Sequence, residues 1–274
     1  MIIDTHSHLQ FNAFKDDVGQ VIKRTREAGI RCINVGTKYE TSKNAVELAK
    51  IQGEGFFAAI GLHPIYAAAE FVKTKTDPDE GEFLINEQEF EKEKYKKLAE
   101  SKKVVAIGEI GLDYYYKPKT ATKLAQFKEK QKQVFVQQLD FARELNLPVI
   151  LHCRMAHDEV IEILQQRNER RGVIHCFTGT LEQALKYVAM DFYIGINGII
   201  FKLPMDEVIK NISLENMVVE TDCPYLTPVP EGNKRNEPIF IKHTIQKIAE
   251  LKNINVSEIE TTTTQNAKKL FNLS

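Results

Sequence analysis

Length, composition and charge set the first limits on this chain of 274 residues. Hydrophobic residues make up 43% of it and charged residues 27%, which indicates a globular protein with a substantial core and excludes disorder on a large scale. Because the formal net charge is -1, no global attraction to a phosphate backbone is expected, and a nucleic-acid partner would have to be held by a local basic patch or by metal.

Short apolar runs rich in Val and Ile alternate along the chain with longer amphipathic segments. This rhythm is typical of repeated βα units and a parallel sheet. In chain order it predicts eight strands, at residues 2–5, 32–35, 56–60, 104–109, 149–152, 173–175, 192–196 and 217–220.

Amphipathic segments predict the helices between these strands, at residues 16–28, 41–51, 126–145, 157–166, 181–189 and 238–251. Gly29 follows the first helix and Pro148 precedes the fifth strand, both of which are ordinary boundary signals. Ser257 with Glu260 predicts a capping box for a short terminal helical piece. An α/β barrel takes about 250 residues, so we expect a (β/α)8 TIM barrel as a single domain over residues 1–274.

The segment 70–100 departs from this rhythm, because it carries many Lys and Glu residues. We expect an exposed excursion, and we favour a solvated loop and helix covering the barrel over an acidic binding tail.

The N-terminus has no basic or apolar targeting pattern, and no run approaches the roughly 18 apolar residues of a membrane span. The four cysteines are widely spaced and form no CxxC pair, so reduced thiols are expected. These features predict a cytoplasmic location with no membrane partner, and nothing in the sequence indicates an obligate protein partner.

Six potential metal ligands stand at the ends of predicted strands: His6, His8, Glu109, His152, His175 and Asp222. Barrel enzymes build their sites at the C-terminal ends of the strands, so these side chains are expected to converge. Each has a plainer alternative, because a lone histidine there is often bonded to backbone and a carboxylate is often paired with a basic residue. Their recurrence over several strands favours metal binding.

Four imidazoles and two carboxylates exceed what one tetrahedral ion requires. Two divalent ions bridged by a carboxylate fit this inventory better. Imidazole-rich sites favour zinc or manganese over magnesium, although availability in the cell can override that preference, so Zn, Mn and Mg all stay open.

Several motifs, in the same order along nearly the whole chain, resemble those of the TatD-like deoxyribonucleases: DTHSHL, AAIGLHP, AIGEIGLDYYY, LPVILHCR, GVIHCFTG, YIGINGII, ETDCPYLTP and KRNEP. The resemblance implies a metal-dependent phosphodiesterase of the amidohydrolase-like barrel superfamily. Its expected partner is DNA, single-stranded or at DNA ends, and its expected activity is of the exonuclease type.

The resemblance also implies roles for the six residues. It makes His6, His8 and Asp222 ligands of a first ion and His152 and His175 ligands of a second, with Glu109 as the bridging carboxylate. Asp222 is the candidate general base for an attacking water. Two other functions stay open: an amidohydrolase that cleaves a C–N or ester bond, and a noncatalytic binding barrel.

Substrate contacts are predicted at loop residues near these ligands: His63, Arg154, Tyr225 and Arg235, with Lys234 beside the last. Guanidinium groups suit bidentate binding of phosphate, although both arginines could instead pair with local carboxylates. His63 could equally cap a turn before Pro64. In the run of three tyrosines at 114–116 we expect packing to dominate, with at most one facing a substrate.

Overall fold

The computed structural model of the protein describes residues 1–72, 78–80 and 89–274. The strands of this part are β1 (Ile2–Ser7), β2 (Ile30–Val35), β3 (Phe56–Ile60), β4 (Val104–Asp113), β5 (Val149–Arg154), β6 (Gly172–Ile174), β7 (Phe192–Ile196) and β8 (Met217–Val219). Its helices are α1 (Val18–Glu27), α2 (Tyr39–Gln52), α3 (Pro64–Ala67), α4 (Lys92–Ala99), α5 (Ala121–Leu145), α6 (His157–Arg167), α7 (Leu181–Val188), α8 (Asp206–Asn211), α9 (Ile241–Lys252) and α10 (Val256–Phe271).

The strands form a barrel. They pair with their neighbours in chain order from β1 to β8, and every pairing is parallel. A parallel bridge between Ser7 and Cys223 brings the two ends of the sheet together. Beside it, the amide of Asp222 donates to the carbonyl of His6 at 2.8 Å. The predicted (β/α)8 TIM barrel is confirmed, and the C-terminal ends of its strands meet at one rim.

One layer of apolar side chains fills the interior of the barrel near the start of the strands. It includes Ile33, Ile150, Val173 and Val218, and it packs against Phe271 at the end of α10 rather than against the helices between the strands. The larger cluster on the opposite face of the strands contains buried residues of those helices. The end of α10 therefore covers the N-terminal end of the barrel, and the C-terminal rim is left for the site.

Some element ends differ from prediction. β4 continues to Asp113 instead of ending at residue 109, with an irregular register between Ile107 and Ile110. α5 begins at Ala121, five residues earlier than the predicted start at 126, and α9 follows a 3-10 turn at Pro238–Phe240. α3 and α8 were not predicted, because helices this short carry little periodic signal.

The predicted capping box at Ser257 is wrong. α10 begins at Val256, so Ser257 lies inside the helix, where its carbonyl accepts a hydrogen bond from Thr261 Oγ1 at 2.7 Å. The helix is 16 residues long. Ile259 and Thr263 are buried one helical turn apart, so tertiary packing holds a threonine-rich run in the helix despite its low propensity.

Part of the charged segment 70–100 packs on the barrel. In α4 the Tyr95 side chain is buried, and its hydroxyl donates to the carbonyl of Gly61 at 3.2 Å. The predicted exposed excursion over residues 70–100 also includes residues 73–77 and 81–88, which lie outside the described residues. Across the described part of the chain, no helix is both long and apolar enough to cross a membrane.

Candidate metal centre

Strand alternation carries several polar side chains into the barrel. His152 follows the interior residue Ile150 by two positions, and His175 stands in the same relation to Val173. Since side chains two apart on a strand share a face, both imidazoles continue the interior stack toward the rim. Both histidines therefore lie inside the barrel, between the apolar layer and the C-terminal rim.

The first group of donors comes from both edges of the sheet. His6 lies in β1 and His8 comes directly after it, while Asp222 follows β8, which lies beside β1. The Nε2 atoms of the two histidines are 3.2 Å apart, and Oδ1 of Asp222 is 3.4 Å from Nε2 of His8 and 3.7 Å from Nε2 of His6. These three residues therefore offer one ligand atom each to a common point.

The second group consists of Glu109, His152 and His175. Oε1 of Glu109 lies 2.7 Å from Nδ1 of His152 and 3.4 Å from Nε2 of His175. The other oxygen of the same carboxylate, Oε2, lies 3.5 Å from Nε2 of His6 in the first group. Glu109 thus stands between the two groups.

The spacing of these donors fits divalent cations. Bonds of about 2.0–2.2 Å in a tetrahedral site separate neighbouring ligands by roughly 3.4 Å. The distances from His8 to Asp222 and from His175 to Glu109 are both 3.4 Å. In the second group, Oε1 of Glu109 and Nδ1 of His152 are closer, at 2.7 Å, so these two ligands would have to move apart slightly around a cation. The structure brings all six predicted ligands together in these two groups.

Three of the histidines have a second partner that fixes the ring. Nδ1 of His8 donates to the carbonyl of Val35 at 2.7 Å, and Nδ1 of His175 lies 2.9 Å from Oε1 of Glu220. Nε2 of His152 lies 3.0 Å from Oδ2 of Asp113. Such partners select the nitrogen that faces a metal.

Asp113 and Glu220 were not predicted from the sequence. The available signal was strand spacing, because Glu220 precedes Asp222 by two residues and Asp113 follows Glu109 by four. Glu220 is fully buried, and its Oε1 also accepts from the amide of Cys176 at 2.7 Å. Both residues contact a predicted histidine ligand, which suits a positioning role, and both also belong to donor clusters that could hold a cation, Asp113 with His63 and His152, and Glu220 with His6 and His175.

Neighbouring histidines favour the ionised form of two carboxylates of the site, Asp113 and Glu109. Burial alone would raise the pKa of Asp113, but the neighbouring imidazole of His152 lowers it to about 2. Burial likewise opposes ionisation of Glu109, yet the surrounding histidines, with His63 and His175 foremost, keep its pKa well below the usual range. The ionised form is the one that binds a cation.

The histidines respond in opposite directions. Burial would lower the pKa of His152, but the carboxylates of Asp113 and Glu109 raise it to about 9. For His63, burial and the nearby ring of His152 lower the pKa to about 3, so this imidazole is neutral near pH 7.

A cleft of about 1580 Å³ opens above the ligands. Three of the predicted substrate residues line it, namely His63, Arg154 and Tyr225. His63 serves two purposes, since Nδ1 accepts from the amide of Ile65 at 3.1 Å and Nε2 lies 3.7 Å from Oε1 of Glu109. The turn-capping alternative for His63 is thus present together with a position next to the ligands.

The structure does not bring Arg235 and Lys234 into the cleft. The guanidinium of Arg235 donates to both oxygens of Asp17, at 2.8 and 2.7 Å, and to Glu237 at 3.1 Å. The ammonium of Lys234 lies 2.9 Å from Glu231. For Arg235 the alternative of pairing with local carboxylates is the one observed, because its donors are already engaged by two acids.

The tyrosine run divides between packing and exposure. Tyr114 is buried, and its hydroxyl donates to Glu159 at 2.8 Å. Tyr115 and Tyr116 are 48% and 52% exposed, and both line the cleft. Two tyrosines of the run therefore line the cleft, and the expectation that at most one of the three faces a substrate stays a prediction.

Three residues at the ends of strands adopt left-handed backbone conformations. Met155, Cys176 and Asp222 have φ angles of 57°, 44° and 59°. Residues other than glycine rarely do so, and such positions concentrate at functional sites. These left-handed residues therefore lie at the same rim of the barrel as the predicted metal ligands.

Comparisons with known proteins agree with this geometry. The family model described as TatD related DNase matches residues 3–272. A protein of Bacillus subtilis named uncharacterized metal-dependent hydrolase YabD is 37% identical, with all of both chains covered. A protein of Erwinia tasmaniensis named 3'-5' ssDNA/RNA exonuclease TatD is 33% identical over 99% of this chain and 100% of its own.

Among solved structures, that of YjjV, a TatD homolog from Escherichia coli, superposes with a TM-score of 0.82 at 30% identity. The match covers 100% of this chain and 98% of that one. On the family match, the relatives and the fold together, the chain belongs to the TatD family of metal-dependent hydrolases.

Proposed function

We propose that this protein is a metal-dependent deoxyribonuclease, an exonuclease-type phosphodiesterase that acts on single-stranded DNA or DNA ends. The observation that carries the proposal is the position of Glu109. One of its oxygens faces His152 and His175, and the other faces His6, which suits a carboxylate that bridges two cations. The relative named as an exonuclease on single-stranded DNA and RNA supports the choice of substrate.

The proposed ligands form two sets that share Glu109. His6, His8 and Asp222 would hold one ion, and His152 and His175 the other. Two divalent ions there would acidify a water and neutralise charge on the nonbridging oxygens of a phosphodiester. The imidazole-rich donor set supports zinc or manganese, and magnesium stays possible where it is abundant.

The remaining chemistry belongs to residues of the chain. Both contacts of Asp222 with histidines use Oδ1, and we assign Oδ2 to orienting the attacking water and accepting its proton. Neutral His63 faces the cleft beside Glu109 and can donate a hydrogen bond to a phosphate oxygen. Arg154, which also lines the cleft, supplies a fixed positive charge near the phosphate.

The overall charge of the chain supports a local mode of binding. With a net charge of -1, affinity for DNA must come from the cleft and the ions rather than from the whole surface. We further propose a single barrel domain over residues 1–274 and a cytoplasmic location, which the four free cysteines support.

An assay on end-labelled single-stranded DNA tests the proposal. Protein treated with a chelator and then dialysed should not degrade the label, and adding Mg²⁺, Mn²⁺ or Zn²⁺ should restore degradation. Metal-loaded protein that leaves the DNA intact but cleaves amides or carboxylic esters would overturn the nuclease proposal.

A further inference from the structure

We propose that Tyr115 and Arg154 form a stacking platform that holds an unpaired nucleobase beside the metal centre. The inference rests on the proposed function and names the part of the substrate that the cleft recognises. Guanidinium carbon Cζ of Arg154 lies 3.6 Å from the centroid of the Tyr115 ring. Both residues line the cleft, and both are exposed.

The platform is tied to a proposed metal ligand through one carboxylate. Oδ1 of Asp113 accepts from the amide of Tyr115 at 2.8 Å, while Oδ2 of Asp113 lies 3.0 Å from Nε2 of His152. On the other side, the amide of Tyr114 donates to the carbonyl of Arg154 at 2.9 Å. The backbone of both platform residues is therefore fixed relative to the second group of donors.

Arg154 differs from the other arginine considered for phosphate. Among the described residues, no carboxylate forms an ion pair with Arg154 within 4.0 Å, whereas Arg235 is paired with Asp17 and Glu237. When a guanidinium stacks on an aromatic ring, its N–H groups point outward in a plane parallel to that ring, where they can donate to a phosphate. The face of the guanidinium that the ring does not cover can stack on a base.

Exposed apolar side chains extend the platform along the cleft. Tyr116, Met155 and Leu203 are 52%, 63% and 41% exposed, and all line the cleft. Exposed apolar groups that share a cleft indicate a binding surface. Aromatic faces bind bases of any sequence, but the bases of a duplex are already stacked, so this surface selects single strands.

The test compares two single-stranded oligonucleotides, one normal and one with three abasic residues at each end. Wild-type protein should show a kcat/KM ratio between normal and abasic substrates of at least about fivefold, which is the lower end of a base–aromatic stack. Tyr115→Leu, which removes the ring, should bring that ratio close to one. Tyr115→Phe, which keeps the ring, should retain it.

Binding of phosphorothioate versions, followed by fluorescence anisotropy, gives a readout that does not require hydrolysis. The same variants should change the ratio of affinities in the same way, and Ile51→Ala, an exposed apolar position on α2, should leave it as in wild type. A Tyr115→Leu ratio equal to that of wild type overturns the platform. Base-dependent binding without hydrolysis overturns the proposed nuclease function alone, and absence of both binding and hydrolysis overturns both.

Discussion

Asp113 determines which ring nitrogen His152 turns toward Glu109. Oδ2 of Asp113 lies 3.0 Å from Nε2 of His152, and Nδ1 of the same ring lies 2.7 Å from Oε1 of Glu109. A carboxylate bound to one nitrogen of a ligating histidine fixes its tautomer and raises the basicity of the other. Asp113 therefore acts on the metal centre through His152.

Replacement of Asp113 by Asn tests this positioning role. Asp113→Asn keeps an oxygen for the amide of Tyr115 but removes the negative charge beside His152, so we expect metal affinity to fall by about 10- to 100-fold. Competition with a chelating dye measures the affinity, and excess metal should recover most of the activity. Asp140→Asn, an exposed acid on α5, is the control. A variant with normal affinity and unrecoverable activity would contradict a positioning role.

The stability of the protein should depend on pH through His157. This residue is buried, its Nε2 has no hydrogen-bond partner, and its Nδ1 lies 3.2 Å from the hydroxyl of Tyr187. Burial lowers its pKa from 6.5 to about 4, although Asp158 opposes this shift and His152 adds to it. Between these two values the unfolded chain binds a proton that the folded chain does not, so stability falls as pH falls from 6.5 toward 4.

Unfolding by urea at two pH values measures this effect. When the pH is lowered from ~7.5 to ~5, the free energy of unfolding should decrease in both the wild type and His157→Phe, whose side chain cannot titrate. The decrease should be larger in the wild type by about 2 kcal/mol. The readout is the change with pH, because the substitution also alters packing. Equal losses in both proteins would show that His157 does not carry the dependence.

Arg235 should matter for stability rather than for substrate binding. Its guanidinium lies 2.7 Å from Asp17 and 3.1 Å from Glu237, at a site that is partly open to solvent. We expect Arg235→Gln to lower the free energy of unfolding by about 1 kcal/mol, since solvent screens such pairs. Arg154→Gln should show the reverse pattern, with unchanged stability and a raised KM for an oligonucleotide. A larger rise in KM for Arg235→Gln than for Arg154→Gln would restore Arg235 to the site.

Strand ends were the part of the site that sequence could predict. His152 and His175 follow apolar runs, and chain-order pairing of parallel strands necessarily brings such ends to one rim. The spacing of two residues between His6, in β1, and His8, directly after it, likewise predicts that the two side chains lie on one face. Local sequence patterns were therefore sufficient to predict those ligands that the strand order of the barrel brings to one rim.

Partners across the fold could not be predicted in this way. Arg154 and Arg235 look alike in sequence, and their difference arises because Asp17, 218 residues away in the chain, meets only one of them. Asp113 likewise acts through a histidine 39 residues away. The prediction of where α10 begins was wrong for a related reason. Burial of Ile259 and Thr263 determines the extent of the helix, and the local capping signal at Ser257 does not.

The bridging role of Glu109 is the central claim, and metal content measured together with turnover tests it most directly. Wild-type protein should contain about two divalent ions per chain and degrade single-stranded DNA. Glu109→Gln, which keeps the shape but removes the charge, should lose metal and activity together, while Glu144→Gln on the exposed face of α5 should lose neither. Unchanged metal content with unchanged turnover in Glu109→Gln would contradict the account.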